Sequence, residues 1–129
     1  MRWKLALSSV FLLWVAGCAP EPDVTASDSD NGGHISINNG QLFDIVLADD
    51  YATSHCQWHD EEKYDFAILR PLGQRYQPDR RPPGATSGGT FTSRYRAAGA
   101  GTVHVTLVQE DNDNPAHVAR RFALDVTVR

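Results

Sequence analysis

His55, Cys56 and His59 are the closest grouping of metal-capable and nucleophilic side chains in the sequence. An imidazole beside a thiol can lower the thiol pKa and arm it for attack or for metal ligation. Strong zinc signatures use two well-spaced ligand pairs, and here there is a single cluster. On a strand His55 and His59 share a face, whereas Cys56 points away. Nothing marks an oxyanion hole or a group that would orient a base. The expected arrangement is two histidines at a loop rim and a buried, inert cysteine. The chain is accordingly read as a non-enzyme, with no catalytic residues, no metal and no cofactor. A second grouping, Glu110-Asp111-Asn112-Asp113-Asn114-Pro115, is dense in oxygen ligands and resembles a cadherin-type calcium linker. It lacks the central glycine and closing glutamate of an EF-hand loop. Calcium at Asp111–Asn114 and a solvated turn built on Asx chemistry both remain open at this point.

Cys18 carries a different chemistry. Arg2 and Lys4 precede an apolar run, Leu5–Ala16, which ends in Val15-Ala16-Gly17-Cys18. A charged start, a short apolar core and a small-residue exit describe a secretory signal too short to span a bilayer. An ordinary cleaved signal and an uncleaved anchor are the competing readings. The ending resembles a bacterial lipobox, which implies cleavage before Cys18 and its acylation. Ala19, in place of Asp, then favours the outer membrane, facing the periplasm. With Cys18 lipidated, Cys56 is left alone in a compartment that permits disulfides. Residues 1–18 are thus read as a lipoprotein signal and 19–33 as a flexible tether, since APEPDVTASDSDNGG has no apolar period. Residues 34–129 form one domain.

Of the 129 residues, 12 are Lys or Arg and 16 are Asp or Glu. Loss of Arg2 and Lys4 leaves 10 basic residues against 16 acidic, a net charge near −6. That balance argues against nucleic acid and against anionic-membrane binding, which call for a basic patch.

Around these groups the chain alternates. Ile35 and Ile37 predict a strand over His34–Asn38, and Phe43, Ile45 and Leu47 predict one over Leu42–Ala48. Asp49–His55 reads as a loop, with Trp58 plugging the core beyond it. Tyr64, Phe66 and Ile68 predict a strand broken by Pro71 and Gly73, with Gln74–Gln77 a short strand. Phe91, Ser93, Tyr95 and Ala97 form one face of the next strand, with Thr92, Arg94 and Arg96 on the other. Val103, Val105 and Leu107 follow after an Ala-Ala-Gly-Ala-Gly corner. Gln109–His117 reads as a polar loop, and Phe122, Leu124, Val126 and Val128 as the inward face of the last strand. There is no convincing helix outside the signal. Short alternating strands with Gly and Pro punctuation predict an all-β, immunoglobulin-like β-sandwich.

The order of elements over Ile35–Val128 resembles the chagasin family, β-sandwich inhibitors of papain-like cysteine proteases. Leu42–Leu47, a polar loop and Trp58 resemble its first strand, inhibitory loop and tryptophan. Gly84–Thr90 resembles its glycine-rich loop, Arg96–Gly99 with Val103–Val105 its strand-corner-strand, and Arg121–Val126 its closing strand. The resemblance implies that three loops at one end plug a protease cleft without any bond being cut. The protease-binding residues it implies are Asp50, Tyr51, Ala52, Thr53, Ser54 and His55, then Gly84, Gly88, Gly89 and Thr90, then Gln109, Glu110 and Asp111. Thr53 would lie over the protease thiol. The family's Asn-Pro-Thr-Thr-Gly first loop and Arg-Pro-Trp third loop are absent, and Gln109-Glu110-Asp111 reverses the charge of the latter. A non-inhibitory interaction module of the envelope on the same scaffold is the alternative.

Overall fold

The structure is a computed structural model that describes residues 20–79 and 88–129. The signal segment with Cys18, and Gly84 of the glycine-rich loop, lie outside the described residues. Among the described residues, eight strands form two four-stranded sheets. In chain order they are β1 (Val24–Ser27), β2 (Gly33–Ile37), β3 (Leu42–Ala48), β4 (Cys56–Asp60), β5 (Leu69–Pro78), β6 (Gly89–Ala97), β7 (Gly101–Asp111) and β8 (Val118–Val128). The first sheet has the order β1-β3-β6-β5 and the second β2-β8-β7-β4.

The alternation read from the sequence sets both inner faces. Phe43, Ile45 and Leu47 of β3 stand opposite Tyr95, Ser93 and Phe91 of β6. They meet Val103, Val105 and Leu107 of β7 and Phe122, Leu124, Val126 and Val128 of β8 in one core with Trp58. Each fully buried large apolar side chain is worth about 1.5–3 kcal/mol, and a sandwich has no other interior. Tyr95, wholly buried, stacks on Phe43 with ring centroids 5.8 Å apart and accepts a 2.8 Å hydrogen bond from Ser93. Burial pushes its phenol well above the usual range. At the corner into β7, Gly101 has φ +149°, and a Cβ there would sit 2.5 Å from Ile68 Cδ1. Only glycine fits.

Several expectations are corrected. The stretch read as a tether contributes β1, which pairs parallel with β3 from Val24↔Phe43 to Ser27↔Val46, and Ala26 is fully buried. A four-residue strand has too little length to show a period. What orders it is the unpaired edge of β3, including a clasp in which Leu42 N donates to Asp23 Oδ2 (2.8 Å) and Asp23 N to Leu42 O (2.8 Å). A 3₁₀ turn at Asp28–Asp30 follows, and the Asn31 side chain grips β8 by donating to Arg121 O and accepting from Ala123 N.

The second correction concerns Tyr64–Ile68, which is a turn and not a strand. Asp65 organises it, accepting from Ala67 N through its side chain and from Ile68 N and Leu69 N through its carbonyl. Pro71 and Gly73 do not break β5. The strand runs through both with a bulge between them, at an edge where the missing proline donor removes no ladder bond.

Candidate functional site

The β3–β4 connection, the entry to β6 and the β7–β8 connection meet at one end of the sandwich. The first begins where Asp49 leaves β3 and turns inward, only 2% exposed. Asp49 N donates to Gly89 O (3.0 Å), and Asp49 Oδ1 accepts from Tyr51 N (2.9 Å). The segment expected to be a loop then closes into one helical turn, α1 (Tyr51–Ser54). Asp50 O accepts from the backbone N–H groups of Thr53 and Ser54 and from the Thr53 hydroxyl (3.0 Å). His55 ends the turn in the left-handed region at φ 60°. Ser54 Oγ donates to Asp50 Oδ1 (3.1 Å) and accepts from Cys56 N (3.0 Å), which hands the chain to β4. Ala52, Thr53 and His55 are left exposed at the tip, and Tyr51 and Ser54 are half-buried.

Gln109 is not in a loop. It lies in β7, 1% exposed, beneath the first connection. Its Nε2 donates to Asp50 Oδ1 (2.8 Å) and Cys56 O (3.3 Å), with Asp49 Oδ1 at 3.5 Å. Its Oε1 accepts from Arg120 Nε (2.9 Å). Gln109 is therefore a support and not a contact residue, because β7 extends to Asp111 and presents this position to the interior. The environments of the paired aspartates differ. Burial pushes the Asp49 carboxyl above its ordinary value, and the neighbouring Asp50 charge adds to this. Burial also raises Asp50, but the bonds from Gln109 and Ser54 outweigh it and hold that carboxyl below its ordinary value. Asp49 Oδ2 is buried with no hydrogen-bond partner among the described residues.

Beyond β7 the connection is a turn. Asp111 Oδ1 accepts from Asp113 N (2.9 Å), Asp111 O from Asn114 N, and His117 O from Asp111 N. Its oxygens thus serve Asx chemistry, and among the described residues no three His, Cys, Asp or Glu side chains cluster as metal ligands. Glu110 pairs with His59 at 3.1 Å, and Cys56 is a buried free thiol.

The connections are tied to one another. Asn112 N donates to His55 O (3.2 Å), Asn112 Nδ2 lies 3.4 Å from the Tyr51 hydroxyl, and the Tyr51 ring packs edge-on against Tyr76 of β5 at 5.6 Å. Gly89 sits so close that a Cβ would meet Tyr76 Cε1 at 2.6 Å and Asp49 O at 3.0 Å. Asp79 N closes on Gly88 O (3.0 Å), and Thr90 lies in register between Ala48 and Gln77. A cleft of about 350 Å³ opens between Asp49-Asp50, Gly88-Gly89 and Arg120. Arg120 and Tyr76 were not anticipated as parts of this end. Arg120 looks like one more charge on an outer strand until its register opposite Gln109 is known.

No protein-family profile matches the chain, and no curated protein sequence does. Solved structures do. Amebosin, known from a solution structure, is 24% identical and superposes with a TM-score of 0.65 over 84% of this chain and 100% of its own. The cysteine protease inhibitor EhICP2 from Entamoeba histolytica is 16% identical, with a TM-score of 0.64 over 84% and 100%. PbICP-C, solved in complex with falcipain-2, is 15% identical, with a TM-score of 0.53 over 88% and 95%. The sandwich is chagasin-like. In amebosin and EhICP2 this fold is the whole of the solved chain. Both described sheets lie within residues 20–129.

Proposed function

We propose that this protein inhibits papain-like cysteine proteases, its three-connection end occupying the protease cleft while no bond is cut. The observation that carries this is the set of bonds tying the connections together, Asn112 to His55 and Tyr51, and Asp49 to Gly89. A wedge fixed before it meets the enzyme loses little entropy on binding. EhICP2 is a cysteine protease inhibitor and PbICP-C was solved in complex with falcipain-2, which supports the same activity for this fold. Ala52, Thr53 and His55 lead, with Thr53 nearest the protease thiol. Gly88, Gly89 and Thr90 flank one side, and Glu110, Asp111 and the turn beyond flank the other. In the cell the wedge is held at the envelope by a lipid on Cys18, in the outer membrane facing the periplasm.

A second reading, a non-inhibitory docking module, is favoured by the acidic third connection and by the Thr53 hydroxyl being engaged with Asp50 O. Inhibition of papain and of a cathepsin-L-like enzyme by residues 20–129 decides between the two. A sub-micromolar inhibition constant is expected. Absence of inhibition by a demonstrably folded domain overturns the inhibitor reading. Envelope proteins captured by the domain, but not by a variant with a shortened third connection, would then support the module.

A further inference from the structure

The outer face of the first sheet has a charge opposite to that of the whole chain. The strand register places Arg70 opposite Arg96, Arg75 opposite Thr92, and Arg94 opposite both Gly73 and Asp44. All four arginines therefore project from β5 and β6 away from the core, and Asp44 is the one carboxylate that the register of these four strands puts on that face. Asp44 is spent on Arg94, with bonds of 2.7 and 2.9 Å. Arg96 donates to Gly40 O, and Arg70 and Arg75 are exposed with no carboxylate partner among the described residues. Leu72, 43% exposed, stands at the bulge between Arg70 and Arg75 beside a groove of about 200 Å³.

The chain end points the same way. Arg94 Nη1 donates to Pro20 O (2.8 Å), so Pro20, two residues after Cys18 in sequence, sits on this face. The net charge near −6 averages over this local surface of opposite sign.

We propose that the outer face of the first sheet rests on anionic phospholipid, with Arg70, Arg75 and Arg96 meeting headgroup phosphates and Leu72 entering the interface. This rests on the reading of Cys18 as a lipid site, since the acyl chain would hold this face at a high effective concentration over the bilayer. Each arginine near an anionic surface is worth roughly fivefold in partitioning, and the effect is screened by salt. The strands then lie along the membrane, and the three connections at their end stay accessible to a protease.

The test is co-sedimentation of residues 20–129 with vesicles of phosphatidylcholine alone or mixed with phosphatidylglycerol, at low and high salt. Expected is binding to the anionic vesicles only, lost at high salt, weakened about tenfold or more in Arg70→Gln/Arg75→Gln and kept in Arg70→Lys/Arg75→Lys. Equal binding to both vesicle types, or a glutamine variant that binds like the parent, overturns the proposal. So does tighter retention on duplex DNA than on vesicles, which would assign the face to another polyanion. Mass spectrometry of Cys18 in the envelope-expressed full chain tests the anchor separately. An unmodified Cys18 with intact vesicle binding would sink the anchor reading and leave the face standing.

Discussion

Arg120 lies over Trp58, its guanidinium carbon 5.2 Å from the ring centroid, and the two side chains share one acceptor, the carbonyl of Ala48. Arg120 Nη2 donates to that oxygen at 2.9 Å and Trp58 Nε1 at 3.0 Å. Trp58 and Arg120 belong to the second sheet and Ala48 to the first, so this pair closes the sandwich at the end where the three connections meet. Arg120→Ala removes the cation–π contact and a charge-assisted bond and strips Gln109 Oε1 of its partner. The expected cost is about 2 kcal/mol in urea unfolding, with Arg120→Lys intermediate because a single ammonium cannot serve both acceptors in the same plane.

Gly88 and Gly89 are expected to separate contact from architecture. A side chain on Gly89 collides with Tyr76 and Asp49, so Gly89→Val should lower stability by roughly 1–3 kcal/mol and disturb the wedge as a consequence. Gly88 is the cleaner probe of contact. A bulky residue there should weaken inhibition by about tenfold or more while the unfolding midpoint stays near that of the parent. Unchanged potency in a folded Gly88→Trp variant would remove this strand entry from the contact surface.

Asp49 should make stability depend on pH in a recognisable direction. Its carboxyl is raised on folding, chiefly by burial, so the folded state holds the proton more tightly than the unfolded chain. Its contribution is full below the ordinary carboxylate value and is lost as pH rises through the raised one. Asp49→Asn removes the buried charge while an amide oxygen can still accept from Tyr51 N. The variant should melt a few degrees higher than the parent at pH 7, with the gap closing toward pH 3. A gap that widens in acid would contradict this assignment.

Asp44 and Arg94 form the partly buried ion pair of the first sheet, with side chains 6% and 20% exposed. Arg94→Met strands the Asp44 carboxylate and frees Pro20. About 3 kcal/mol should be lost, and Arg94→Met/Asp44→Asn should regain much of it. Hydrogen exchange in β1 should rise in the single variant, because Arg94 holds Pro20 and so adds to the Asp23–Leu42 clasp at the entry to that strand.

Strands whose two faces differ were legible residue by residue. β3, β6, β7 and β8 follow the alternation of Phe43-Ile45-Leu47, Phe91-Ser93-Tyr95-Ala97, Val103-Val105-Leu107 and Phe122-Leu124-Val126-Val128, because side-chain direction in a strand is a local property of period 2. The sandwich followed from those four, whereas the gathering of its connections at one end came only from the resemblance to a known family. Pairing decided the remainder. Val24–Ser27 is a strand because β3 offers a free edge. Gln109 is buried because β7 continues past the point where its composition turns polar. Tyr51–Ser54 is helical because Asp50 O collects the donors of its own turn. Arg120 belongs to the end where the three connections meet because it stands opposite Gln109 and reaches across to Ala48. Each of these depends on a partner tens of residues away or on a hydrogen bond that only one backbone geometry allows. A sequence pattern carries the direction of a side chain, and the tertiary structure alone carries what that side chain meets.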